Sequence, residues 1–136
     1  MRSNELTPVR DNRLPEGTPP RTRPIIEQAR FAASACVDNK ANDVVLLDLH
    51  GVTEMTDYFV IASGTSDTHV RSIAEHLLAD LAKAGVAAVA VEGLDHGRWV
   101  VVDYLNFVVH VFHPSLREYY QLERLWGDAP ALALTR

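Results

Sequence analysis

Between Gly64 and Gly85 the chain carries the pattern that most limits its possible folds. Val70, Ile73, Ala74, Leu77, Leu78 and Leu81 recur at i, i+3 and i+4, which lays one apolar stripe along a helix. Thr65 or Ser66 is positioned to cap its start, and Gly85 supplies its stop. A one-sided helix must bury its stripe against another element. The flanking segments supply one. Val44 to Leu49 and Tyr58 to Ser63 precede the helix; Ala87 to Val91, Trp99 to Tyr104 and Phe107 to Phe112 follow it. All five are short, and the first two are rich in branched or aromatic residues, as strands are.

Two more helices complete the order. Pro24 suits a first helical turn, and Ile25, Ala29, Ala32, Ala33 and Cys36 then recur at helical spacing. Cys36 lies on that stripe, which points to burial rather than reactivity. Near Pro114 a last helix is expected, with Ser115 as N-cap and Glu118 completing a capping box. On it Tyr119, Leu122 and Trp126 share one face, with Tyr120 at the edge beside Arg117 and Arg124. Helix, strand, strand, helix, three strands, helix predicts an α/β fold of the α+β kind: a mixed five-stranded sheet flanked by helices.

The last two strands are joined so closely that they read as a hairpin. With Leu105-Asn106 as a two-residue turn, Asp103 faces Val108 and Val101 faces His110. Alternation then puts Trp99, Asp103 and His110 on one face.

At 136 residues the chain holds one core. Residues 1–22, with Pro8, Pro15, Pro19 and Pro20 and no periodicity, read as a disordered leader; 23–128 as the folded domain; 129–136 as a tail without an element. Apolar runs stay far below the roughly 20 residues that span a bilayer. Arg2 and Glu5 precede any apolar segment, unlike a secretory signal, and the single Cys36 fits a reducing cytosol, so a cytoplasmic protein is expected. A formal charge of -5 argues against bulk or sequence-specific nucleic-acid binding and suits a basic partner.

The chemistry-bearing residues do not assemble into an active site on paper. Gly64-Thr65-Ser66-Asp67 at a helix start resembles the Gly-Ser turn of nucleotidyltransferases, but those enzymes pair it with two carboxylates one residue apart on a strand. Here Asp48 and Asp103 each stand alone. His96, His110 and His113 have no cysteine or carboxylate to complete a metal set, and Ser63 and Ser66 lie in no nucleophile elbow. No catalytic residue, metal or cofactor is expected. What remains is a grouping of aromatic and arginine side chains between Gly97 and Asp128: Arg98 and Trp99 by a loop, Tyr104 at a turn, and Tyr120 with Arg117 and Arg124. Such groups suit a surface that grips another macromolecule.

Asp57-Tyr58-Phe59-Val60-Ile61-Ala62-Ser63-Gly64-Thr65-Ser66, Val91-Glu92-Gly93, Arg98-Trp99-Val100-Val101-Val102-Asp103, Val109-His110-Val111-Phe112 and Tyr120 with Leu122-Glu123-Arg124-Leu125-Trp126 resemble the ribosomal silencing factor, or Iojap-related, family. The resemblance spans about Ile26 to Asp128. It implies a nucleotidyltransferase-like fold without catalytic carboxylates, which is not an enzyme. It also implies binding to the large ribosomal subunit through its protein uL-fourteen, hindered subunit joining and lowered translation in starvation. Organellar relatives act in large-subunit assembly, and homodimers occur. The partner-facing residues it implies are Trp99, Asp103 and Tyr120, with Arg98, Tyr104 and His110 as neighbours. The sequence departs from the family at Leu105-Asn106, where glycine and an acidic residue are usual, and leucine resists positive φ.

Overall fold

A computed structural model describes residues 24–116, 127 and 129–134. The leader 1–22 and the stretch 117–126, with Arg117, Tyr119, Tyr120, Arg124 and Trp126, lie outside the described residues.

Helix α1 runs over Ile25–Asp38 and is followed by strands β1 (Asn42–Asp48) and β2 (Tyr58–Ser63). Helix α2 (Asp67–Lys83) leads to β3 (Ala90–Glu92), β4 (Trp99–Asp103) and β5 (Phe107–Phe112), and Ala131–Leu132 adds β6. The sheet has six strands in the order β3-β4-β5-β2-β1-β6. Only β2 and β5 pair in parallel, with Tyr58 opposite Phe107 and Ser63 opposite Phe112. The sheet is therefore mixed, as expected, with one strand more than the sequence suggested.

The stripe on α2 does what its spacing requires. Val70, Ile73, Ala74, Leu77 and Leu81 are buried, and Ser66 is the N-cap, its side chain accepting the His69 N–H. Each large apolar side chain taken fully from water contributes about 1.5–3 kcal/mol, well beyond helix propensity. α1 contributes a face of small residues, Ala29, Ala32, Ala33 and Cys36, all fully buried. Burial pushes the Cys36 thiol up to about 12, so it is an inert packing group. Both helices cover one face of the sheet, where Leu46, Val60, Val100, Val102, Phe107, Val109 and Val111 meet them.

The opposite face has a separate, smaller core. Leu47, Leu49, Ile61 and Phe112 are buried there, with Val45, Phe59, Trp99, Leu116 and Ala129 packed around them. Leu116 and Ala129, well apart in sequence, thus both pack on this face.

Three expectations need correction. The tail does carry an element: β6 pairs with β1, Leu46 opposite Leu132. It is also fastened from outside the sheet, because Arg30 Nε donates to the Ala133 carbonyl at 3.1 Å. Strand β3 starts at Ala90, not Ala87, because Val86 turns into the helix-side core and Ala88 packs at its edge. Ser115 is not an N-cap: the backbone is already helical at 114–116, and the His113 ring accepts the Ser115 N–H through Nδ1 at 3.3 Å. His113 holds the capping position.

Candidate functional site

The face of the hairpin turned away from α1 and α2 is built by register. β4 and β5 pair with Trp99 opposite Phe112, Val101 opposite His110 and Asp103 opposite Val108, the pairing the two-residue turn predicts. The Tyr104 N–H donates to the Phe107 carbonyl at 2.9 Å and closes the loop around Leu105 and Asn106. Leu105 takes φ +75, the left-handed conformation leucine resists. Two hydrogen bonds hold it there. Asp103 Oδ1 accepts the Leu105 N–H at 2.7 Å, and the Tyr104 carbonyl accepts the Asn106 N–H at 2.9 Å. The departure from glycine thus leaves the turn length unchanged and places strain at its tip.

Trp99 is partly buried and fixed in orientation. Its ring stacks on Phe112 with centroids 5.0 Å apart. Its indole N–H donates to His110 Nδ1 at 3.2 Å. That bond sets the tautomer: Nδ1 accepts, so the proton sits on Nε2. His110 lies beneath, edge-on to Phe59 at 4.6 Å. Its Nε2 is buried with no hydrogen-bond partner among the described residues. Burial lowers its pKa to about 4, and the ring is neutral near pH 7.

The six residues singled out from sequence therefore divide. Trp99 and Asp103 lie on one face and are part-exposed, and Arg98 is exposed next to Trp99. His110 is on the same face but 7% exposed, a support for Trp99 rather than a contact surface. Tyr104 is corrected outright. It is 7% exposed in the helix-side core, with its ring stacked on Phe107 at 4.9 Å and its hydroxyl buried with no hydrogen-bond partner among the described residues. Burial there raises the phenol pKa well above the usual range. Tyr120 lies outside the described residues.

Sequence reading missed two exposed apolar side chains beside Asp103: Met55, 85% exposed, and Leu105, 62% exposed. Met55 sits in a polar loop where no periodicity marks it. Leu105 was read only as a turn residue. Also unforeseen is the His50 ring between two carboxylates, 2.6 Å from Asp48 Oδ1 and 3.3 Å from Asp57 Oδ1. The His50 backbone N–H, and then its ring, hold the Asp48 carboxyl below its ordinary value.

The start of α2 is occupied by the protein itself. The Thr65 N–H donates to His69 Nδ1 at 2.9 Å, and the His69 N–H donates to Ser66 Oγ at 3.1 Å. With Nδ1 accepting, His69 Nε2 donates to the Asn39 carbonyl at 3.0 Å and ties α2 to the end of α1. Asp67 adds a negative charge in the first turn. Two amides of the turn, those of Thr65 and His69, are thus engaged by the protein itself, and the Asp67 charge disfavours a phosphate there. Asp48 on β1 and Asp103 on β4 are three strand positions apart in the sheet order. That is roughly 14 Å, against the roughly 4 Å between ions of a two-metal site. Among the described residues no group of three or more His, Cys, Asp or Glu side chains is arranged to hold a metal. None of the described helices is long and apolar enough to cross a membrane.

Fold and face together describe an α+β domain with two helices on one side of a mixed sheet and, on the other, a rigid aromatic and carboxylate surface. Comparison with known proteins makes the class specific. Residues 22–136 match the family model described as "Ribosomal silencing factor during starvation", and the chain belongs to the ribosomal silencing factor family. It is 46% identical over 101 residues to the Ribosomal silencing factor RsfS of Bacillus subtilis, covering 74% of this chain and 86% of that protein. A more distant relative is the mouse protein named "Mitochondrial assembly of ribosomal large subunit protein 1", 36% identical over 63% of this chain and 39% of that one. A crystal structure of a Chromobacterium violaceum protein superposes with a TM-score of 0.70 at 36% identity, covering 76% of this chain and 84% of the other.

Proposed function

We propose that this chain is a translational repressor that docks on the large ribosomal subunit and blocks entry of the small one. The observation that carries the reading is the family match over residues 22–136. The hairpin geometry supports it by offering a place to dock. Trp99 is a large side chain whose conformation is fixed before binding by Phe112 and His110. A pre-ordered anchor loses little freedom on association. Asp103 adds a carboxylate on the same face, four residues along β4 and so roughly 13 Å away, suited to lysine or arginine. Ribosomal proteins are basic, so the contact on the large subunit is a protein, and the family resemblance names it as uL-fourteen. Steric exclusion needs no chemistry. A standard interface of roughly 1,600 Å² on the subunit-joining face is enough to keep a second body away.

The test is co-sedimentation with purified large subunits. Trp99→Ala and Asp103→Lys should each weaken binding at least tenfold while the circular dichroism spectrum is retained. Undiminished binding by both variants would move the interface off this face. The name of the mouse relative favours a second reading, an assembly factor with the same contact. Depleting the protein separates the two. A repressor leaves mature large subunits with altered joining, whereas an assembly factor leaves immature large-subunit particles.

A further inference from the structure

Beside Asp103, on the side of the hairpin turned away from α1 and α2, lies a cleft of about 170 Å³. Phe59 and Val108 line it from β2 and β5, and Leu105 and Asp103 line it from the hairpin tip. The loop between β1 and β2 closes the remaining side with Thr53, Met55 and Thr56. A cavity of about 150 Å³ lined by apolar side chains holds a benzene ring. This cleft therefore matches one large apolar side chain.

Its lips and its rim differ in character. Met55 and Leu105 hold exposed apolar surface at the mouth, 85% and 62% exposed, which a folded chain ordinarily keeps from water. Asp103 is the charged residue described in the lining, and the loop that closes the cleft adds Glu54 next to Met55 and Asp57 after Thr56 in sequence, the last shared with the His50 ring at 3.3 Å. Among the described residues no lysine or arginine lines the cleft. An apolar socket in an acidic ring is complementary to an apolar side chain flanked by basic ones.

Leu105 belongs to this arrangement by its backbone as well. Its φ of +75 would suit glycine, yet a leucine stands there, held by Asp103 and projecting at the mouth. A strained residue with a large exposed side chain next to a cleft is explained by contact with something outside the chain.

We infer that this cleft is the specificity pocket of the docking face. It receives one large apolar side chain from a basic protein segment, with lysine or arginine on either side meeting Glu54 and Asp103. The inference rests on the docking reading above and goes further by naming the chemistry that is recognised and the residues that select it. Met55 and Leu105 set the size of the admitted side chain, and the acidic rim speeds the encounter.

The experiment uses the full chain and purified large subunits of the same organism. Met55→Ser and Leu105→Gly should each weaken binding about tenfold. Leu105→Gly keeps the fold, since glycine takes a φ of +75 without strain. Glu54→Lys should slow association and flatten its dependence on salt. A benzophenone side chain at position 55 should cross-link to a basic large-subunit protein at an apolar residue between lysines or arginines. If wild type binds and Met55→Ser and Leu105→Gly bind within twofold of it, the cleft is not the pocket, and the docking reading stands without it. A cross-link to ribosomal RNA also overturns the inference. No binding by the wild-type chain removes the docking reading itself, and the pocket's partner with it.

Discussion

His110 illustrates how a residue can belong to a functional face without touching a partner. It supports the Trp99 indole through Nδ1 while its protonated Nε2 is buried with no hydrogen-bond partner among the described residues. That arrangement makes stability depend on pH in a direction that can be worked out. Above about 6.5 the ring is neutral in both folded and unfolded chains and contributes no pH dependence. As pH falls from there toward about 4, the unfolded chain takes up the proton and the folded chain does not. The unfolded state binds more protons in that window, so stability drops with falling pH, by on the order of 3 kcal/mol at most. Urea denaturation of wild type and His110→Phe at pH 7 and pH 4.5 should give a smaller loss for the variant. Equal losses would assign the pH dependence to other groups. The placement of His110 with Trp99 and Asp103 was legible in sequence because period-two alternation and a two-residue turn define the register. The same alternation puts Tyr104 with Val100 and Val102, on the helix side. Its grouping with Trp99 came from family resemblance and proximity in sequence, and neither reports which way a side chain points.

At the scale of elements, the parts with long periodicity were legible and the parts made by single contacts were not. α2 could be read from one stripe, its cap and its glycine stop, because all three act within the helix itself. β6 could not. Two residues carry no period, and Ala131–Leu132 is a strand only because β1 has an edge for it. Its worth is tertiary: Leu132 and Leu134 pack on the helix-side core, and the Ala133 carbonyl receives Arg30. Ending the chain after Pro130 should therefore lower unfolding free energy in urea by about 2–4 kcal/mol, the burial of two partly covered leucines plus lost hydrogen bonds. It should also make the protein prone to associate through the uncovered edge of β1. An unchanged urea midpoint would mean the tail strand is ornamental. The last helix starts near Pro114 as expected, but its cap was misread by two residues for a similar reason. A histidine ring can cap as a serine does, and sequence patterns rank serine first.

For the whole molecule, the decisive property is an asymmetry between the two sides of one sheet. Helices α1 and α2 spend their apolar stripes on one side. The other side keeps a small core under Trp99 and an apolar cleft between the β1–β2 loop and the hairpin tip. A net charge of -5 favours approach to basic proteins and opposes a general hold on nucleic acid. The sequence conveyed the charge and the layer order. It could not convey the cleft, whose walls come from two stretches, 53–59 and 103–108, that meet only in the fold. Blocking a joining surface depends on where the domain sits, so the most direct measurement is subunit joining itself. Purified large subunits would be mixed with the chain, then with small subunits, and the joined particles followed by light scattering and sucrose gradients. Wild type should reduce joining in proportion to the large subunits it occupies, and Trp99→Ala should restore it at the same concentration. Full joining on large subunits that demonstrably carry the bound chain would contradict the account.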